Sequence, residues 1–313
     1  MPNDSIAVVI PAYRVAPYIS NVIARVPSNV RTIIVVDDAS PDDLQAVLAR
    51  EHDGRLVVVR HEQNRGVGGA MKTGFRKALE LGADIIVKVD GDGQMDPVLI
   101  HQFVEPIVSG EADFTKGNRF DDLSTIRKMP LVRRVGNLAL SFLVKLASGY
   151  WRLFDPCNGY IAVRAAVLRK VNLDRLADRY FLEISLLCEA YFARAVLLDI
   201  PMRPVYAGET SSLSPVGSAG NFAPRLVQRW LYRMFMSYFM RDFNVVSIFL
   251  VTGLPMMIFG LVWSVYQWVH TYRLGVPATT GTVMIGILPI VLGFQLILQA
   301  VVLDVGNEPK RGR

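Results

Sequence analysis

Cysteine and histidine are scarce in this chain: its 313 residues include two cysteines, Cys157 and Cys188, and four histidines. Neither cysteine has a second Cys or a His at metal-ligand spacing, which excludes a structural zinc site and a disulfide-stapled mini-protein. Both thiols read as packing residues in a reducing compartment. Charge is missing in two places. No Asp, Glu, Lys or Arg occurs from Phe243 to Tyr272, or again from Leu274 to Leu303, and each run exceeds the ~20 residues that a spanning helix needs. A buried helical hairpin in a soluble protein is the alternative, but runs this long without charge are rare outside membranes. The first residues, Met1 to Ser5, carry no basic region, and the apolar stretch after them is only Ile6 to Ile10. No signal peptide is therefore expected, which leaves the N-terminal part in the cytosol. With 51% hydrophobic residues, a disordered chain, a collagen and a coiled coil are also excluded.

The net charge of +6 is unevenly placed. Residues 1–222 hold 26 Lys and Arg against 25 Asp and Glu, whereas residues 223–313 hold 8 against 3. A nucleic-acid binder spreads its excess over a folded basic face; here the excess brackets the two apolar runs, so no nucleic-acid partner is expected. Arg225, Arg229, Arg233 and Arg241 precede the first run, Lys310, Arg311 and Arg313 follow the second, and the linker between them has only Arg273. By the positive-inside rule both ends of the hairpin face the cytosol.

The N-terminal two thirds alternates short β-branched runs (Ile6 to Ile10, Thr32 to Val36, Leu56 to Val59, Asp84 to Val89) with helical patterns near Pro17 to Arg25, Pro41 to Arg50 and Gly68 to Leu81. This predicts an α/β fold with a largely parallel sheet. In such sheets ligands bind beyond the carboxyl ends of the strands, where the chain has Pro11-Ala12-Tyr13, Asp37-Asp38 and Asp90-Gly91-Asp92. Asp90 and Asp92, with Gln94 as a further oxygen donor, suit a hard cation such as Mg²⁺ or Mn²⁺ that keeps positions open for phosphate oxygens. Asn64-Arg65-Gly66-Val67-Gly68-Gly69 opens a helix but fits neither the P-loop nor the dinucleotide template. It reads equally as a phosphate cradle or a plain helix-entry turn.

Five segments then occur in order: Val9-Ile10-Pro11-Ala12-Tyr13, Val35-Val36-Asp37-Asp38-Ala39-Ser40, Asn64-Arg65-Gly66, Asp90-Gly91-Asp92-Gly93-Gln94-Met95-Asp96-Pro97 and Lys116-Gly117-Asn118-Arg119. Together they resemble the inverting family 2 glycosyltransferases of GT-A fold, in particular the polyprenyl-phosphate and dolichol-phosphate sugar synthases, over residues 5–215. The resemblance implies a Rossmann-like mixed sheet. It also implies that Pro11, Tyr13 and Asp38, with Asn64 and Gly66, line the donor pocket, that Asp90, Asp92 and Gln94 hold metal and donor diphosphate, and that Arg119 approaches a phosphate. Asp155-Pro156-Cys157-Asn158-Gly159-Tyr160 is similar to the family's acceptor-side segment, and Arg203 with Gly208 to Ser211 to its basic loop; a turn and a strand edge are the alternatives. Arg14-Val15 stands where the family commonly has Asn-Glu, and Ala39 where Gly is common, which leaves the base, UDP or GDP, open. The processive synthases' Gln-x-x-Arg-Trp motif is incomplete, since Leu226 replaces the Gln before Arg229-Trp230.

A lipid acceptor accounts for two more stretches. Pro224 to Arg241 places Arg225, Arg229 and Arg233 on one stripe of an interfacial amphipathic helix. Leu131 to Trp151 is a second candidate, with Arg134 and Lys145 on one edge and Val135, Leu138 and Phe142 facing away, or else an ordinary core helix. Arg133, Arg134, Arg203 and Arg225 are the candidates for the acceptor phosphate, with Asp92, Arg119 and Arg203 as catalytic residues. The expected organisation is a cytosolic catalytic domain (1–222), an interfacial helix (223–242) and a two-helix transmembrane hairpin with a cytosolic tail (243–313). The expected activity is transfer of one sugar from a nucleotide-sugar to polyprenyl phosphate; self-association into a homo-oligomer is left open. Two other readings stand beside it: transfer to a lipid hydroxyl, with Glu183 as base rather than as a loop-orienting acid, and a non-catalytic nucleotide-sugar-binding scaffold.

Overall fold

The computed structural model describes residues 4–119, 131–179, 181–202 and 215–311, with the backbone alone for residues 132, 133, 137 and 215–222. The chain divides into two compact units, 1–229 with 309–313, and 230–308.

In the first unit a seven-stranded sheet forms, β-branched residues dominating its first four strands: β1 (Ile6–Ala12), β2 (Thr32–Asp37), β3 (Leu56–Arg60), β4 (Ile85–Lys88), β5 (Phe114–Asn118), β6 (Ile161–Arg164) and β7 (Leu197–Pro201). Their order is β3-β2-β1-β4-β6-β5-β7. The first four strands lie where the alternation predicts. β6 runs antiparallel to both β4 and β5, so the sheet is mixed by that one strand, and the other six run in one direction, largely parallel as the alternation predicts. Helices α1 (Ala16–Ala24), α2 (Leu44–Leu48), α3 (Gly66–Glu80) and α4 (Ile100–Val108) cover its faces, followed by α5 (Leu131–Ser148), α6 (Ala165–Lys170) and α7 (Leu182–Phe192). The core gathers Ile10, Ile33, Val35, Val87 and Phe103, with Tyr160 stacked on Phe103 at 4.1 Å between ring centres. After β1 the chain winds outward through β2 and β3, then returns to lay β4 on the other side of β1. That reversal opens a crevice between the ends of β1 and β4, the place where open α/β sheets take ligands.

Helix α8 (Pro215–Phe235) begins earlier than the Pro224 expected from sequence and ends in a π-helical turn, Met236–Arg241. The second unit contains α9 (Val245–Leu274) and α10 (Thr280–Gly306), with mean hydropathies of 2.4 and 2.3, both long and apolar enough to cross a membrane. Asn244 and Ser247 form a capping box at the start of α9, and Thr279 caps α10. Glycines let the two helices touch backbone to backbone: a Cβ at Gly260 would lie 2.6 Å from the Gly286 carbonyl oxygen, and one at Gly293 would lie 2.7 Å from that of Gly253. Small residues at crossing points are how apolar helices pack where burial of apolar surface gives no drive.

Within this unit Arg233 and Asp304 are both buried. The guanidinium makes a bidentate pair with the carboxylate at 2.7 and 2.8 Å, and the Tyr238 hydroxyl donates to the same carboxylate at 2.5 Å. Arg233, placed by the sequence on a headgroup-facing stripe, is therefore an internal clamp. Arg229 is likewise engaged within the first unit, by Glu189 at 3.1 Å and the Arg175 carbonyl at 2.8 Å. Helical spacing alone could not tell a stripe facing lipid from one answering acids elsewhere in the chain.

Candidate active site

Two strand-end turns form one wall of the crevice. Pro11 and Ala12 close β1, and Tyr13 follows, 42% exposed, with the Arg14 guanidinium 5.3 Å over its ring. Arg14 and Ala39 both adopt left-handed backbone, at φ 58° and 53°, a conformation that L-residues hold at a cost and that clusters at functional sites. Ser40 ties the two turns together: its hydroxyl accepts the Arg14 N–H at 2.7 Å and donates to Asp42, whose carboxylate also takes the Ala16 N–H.

Asp38 directly follows β2. It is buried, and its carboxylate receives His61 Nδ1 at 2.7 Å, the Arg65 N–H at 2.9 Å and the Gly66 N–H at 2.7 Å. Thr73 completes the His61 ring at 2.9 Å. The carboxylate thus caps the start of α3 from a neighbouring strand, and the amides of Arg65 and Gly66 are already answered by a protein anion. The glycines serve close packing. A Cβ at Gly66 or Gly68 would meet the backbone of Ala177 and Asp178 within 2.6 Å, and the Gly69 N–H donates to the Asp178 carbonyl. Of the two readings of this loop, the helix-entry turn matches these contacts. Asn64 is exposed and bonds back to Asp38 and Gly66.

The other wall is the end of β4. Asp90 is 28% exposed in its side chain, Asp92 accepts the Gln94 N–H at 2.9 Å, and Gln94 is exposed. Beneath them lies Lys88, which a reading of Ile85 to Val89 as simply apolar passes over. Its buried ammonium reaches Asp90 Oδ1 at 2.7 Å, Glu183 Oε1 at 3.3 Å and the Gly159 carbonyl at 3.2 Å. Burial works against that charge, but Asp90 and Glu183 outweigh it and hold the Lys88 pKa above the ordinary lysine value. A cation inside an otherwise apolar buried strand was the available signal, because such a group persists only when paired. Among the described residues no cluster of three or more His, Cys, Asp or Glu side chains could hold a metal. The donor set is two carboxylates and an amide. It fits a Mg²⁺-type ion, which is held by one or two carboxylates and completes its shell with water and substrate phosphate.

Lys116-Gly117-Asn118-Arg119 and Asp155 to Tyr160, distant in sequence, meet beside this wall. Arg119 forms a two-point pair with Asp155, Nε at 2.7 Å and Nη2 at 3.1 Å, so a buried acid orients the guanidinium predicted to approach phosphate. The buried Lys116 ammonium bonds to the Asn158 carbonyl, and burial lowers its pKa despite Glu183 and Asp155 nearby. On β7, burial pushes Asp199 up to about 6, against the Phe154 N–H that donates to it at 2.7 Å. On α5 the residues Leu131, Val135, Leu138 and Phe142 are exposed while Val144 and Ala147 are buried, so this is not an ordinary core helix. Arg134 is half-buried on it, Arg133 is described by backbone only, and Arg225 is exposed on α8. Arg203 and the segment Gly208 to Ser211 lie outside the described residues.

A family model described as "Glycosyl transferase family 2" matches residues 7–171. The UDP-N-acetylglucosamine–dolichyl-phosphate N-acetylglucosaminyltransferase of Methanococcus voltae is 32% identical over 221 residues, 66% of this chain and 88% of that protein. The undecaprenyl-phosphate mannosyltransferase of Micrococcus luteus is 33% identical over 150 residues, 47% of this chain and 60% of that one. Among solved structures, glucosyl-3-phosphoglycerate synthase from Mycobacterium tuberculosis, with Mn²⁺, UDP and glucosyl-3-phosphoglycerate bound, superposes with a TM-score of 0.51 at 20% identity, covering 74% of this chain and 80% of that one. That likeness is one of fold, and it is the GT-A fold. With the acidic strand ends gathered at the sheet's reversal and the family model covering more than half of its length, the chain belongs to the family 2 glycosyltransferases.

Proposed function

We propose that this glycosyltransferase moves one sugar from a nucleotide-sugar to a polyprenyl phosphate presented by a membrane, with inversion at the anomeric carbon and a divalent ion. The observation that carries the reading is the union, in one chain, of a family 2 catalytic unit with two helices of membrane-spanning length. The relatives named for dolichyl and undecaprenyl phosphate support the acceptor class. So does the exposed apolar stripe of α5 beside Arg134 and Lys145, which suits the headgroup boundary. In this reading residues 1–222 form a cytosolic catalytic domain, 223–242 lie at the interface, and 243–313 span the bilayer twice and return to the cytosol.

Pro11, Tyr13 and Asn64 line the donor pocket, with Asp38 and Gly66 fixing the shape of the loop that carries Asn64. Asp90, Asp92 and Gln94 hold the ion, which when bound supplies positive charge against the leaving nucleoside diphosphate. Arg119, aimed by Asp155, takes diphosphate oxygens, and Arg133, Arg134, Arg203 and Arg225 take the acceptor phosphate. An oxygen of that phosphate attacks the anomeric carbon as the bond to the diphosphate breaks. The phosphate is already anionic at neutral pH, so no residue has to remove a proton from it. Glu183, paired to Lys88, is then a structural acid rather than a base.

The test is nucleoside diphosphate release by the full chain in detergent, across UDP- and GDP-sugars, with Mg²⁺ or Mn²⁺ and with or without undecaprenyl phosphate. Release that needs both metal and lipid phosphate is the expected result. Release that needs a hydroxyl-bearing lipid instead overturns the acceptor assignment, and no release with any donor or acceptor favours the binding-scaffold alternative.

A further inference from the structure

The ammonium of Lys88 is saturated: its three protons meet Asp90 Oδ1, Glu183 Oε1 and the Gly159 carbonyl oxygen. These partners come from the loop after β4, the start of α7 and the turn before β6, so one buried cation joins three segments at the floor of the site. Gly159 is shaped to it. A Cβ there would stand 2.6 Å from Lys88 Nζ and 3.1 Å from Asp90 Oδ2. Lys88 itself cannot reach a ligand, being 1% exposed.

The geometry points to Lys88 as a positioning residue for the metal site: by holding one oxygen of Asp90 it sets how that carboxylate is presented to a divalent ion. Glu183 balances the charge that this device brings into the core. The inference rests on the divalent ion proposed above at Asp90 and Asp92, but not on the identity of the acceptor. Removing Lys88 alone would confuse two effects, because it leaves Glu183 without its counter-charge and also lessens repulsion toward a metal. The pair Lys88→Met with Glu183→Gln leaves the net charge of the cluster unchanged and separates them.

The experiment is Mn²⁺ titration of the full chain in detergent, read by the loss of the free-ion electron paramagnetic resonance signal in the presence of UDP. Lys88→Met/Glu183→Gln, Glu183→Gln and the wild type are compared, with thermal unfolding as the control for folding. The expected result is a double variant that unfolds near the wild-type temperature yet binds Mn²⁺ at least ~10-fold more weakly, as changes behind metal ligands commonly do. Glu183→Gln, which keeps Lys88 on Asp90, should stay within about threefold of the wild type. Wild-type affinity in the folded double variant overturns the inference, as does a wild type that binds no Mn²⁺. If the double variant does not fold, Gly159→Ala, which crowds the same ammonium, must show the same loss of affinity or the inference fails. A failed acceptor assignment would show in product release and leave these titrations untouched.

Discussion

Replacing Asp304 by Asn should loosen the junction that Arg233 makes with the end of α10. The two side chains are 1% and 2% exposed, and the carboxylate takes three short bonds, two from the guanidinium and one from Tyr238. Asn keeps the volume and one acceptor but removes the charge, leaving a buried guanidinium uncompensated. Breaking one side of such a pair costs about 3–5 kcal/mol, whereas replacing both sides by well-packed apolar groups is often neutral. At roughly 2–4 °C per kcal/mol for larger domains, Asp304→Asn should lower the unfolding temperature of the full chain in detergent by about 6 °C or more. Arg233→Met/Asp304→Leu should recover most of that loss. Protease cleavage between Trp230 and Arg241 should rise in the single variant and fall back in the double one. An unfolding temperature within about 1 °C of the wild type for Asp304→Asn, or a double variant worse than the single, would refute the assignment of this pair as a buried clamp.

Other outcomes follow from the site. Asp92→Asn should cut turnover by about 100-fold or more while leaving the unfolding temperature unchanged, since it removes charge from the site rather than packing; near-wild-type turnover would exclude a metal role for Asp92. Ala39→Gly should be neutral or stabilising by up to about 1 kcal/mol, because glycine adopts φ 53° without the clash of a Cβ but loses more chain freedom on folding; a clear loss in thermal unfolding would count against strain at this turn. Asp199 has a folded pKa of about 6 against an unfolded 3.8, so the native state binds the extra proton, and its contribution to stability falls as pH rises between those values and is flat above. Asp199→Asn should therefore flatten the stability profile between about pH 4 and 6 and be more stable than the wild type at pH 7; an unchanged slope would show that the acid titrates normally.

Much of this molecule is written in local pattern. Ile6–Ala12, Thr32–Asp37 and Leu56–Arg60 become strands because β-branched residues suit an extended, buried backbone, and the two membrane-length helices announce themselves because thirty residues without charge have few other fates in water. The acidic strand ends could be located for the same reason, since strand position alone says which residues face the crevice. What each polar side chain meets there depends on partners far along the chain. Asp38 turned inward because α3 brings the Arg65 and Gly66 amides to it, and Arg119 was aimed by Asp155, 36 residues on. The stripe containing Arg229 and Arg233 met Glu189 and Asp304 inside the protein. A sequence carries the periodicity of each element, but a buried charge is paired only once the elements have packed. Desolvation makes that pairing obligatory, and the tertiary structure alone decides with whom.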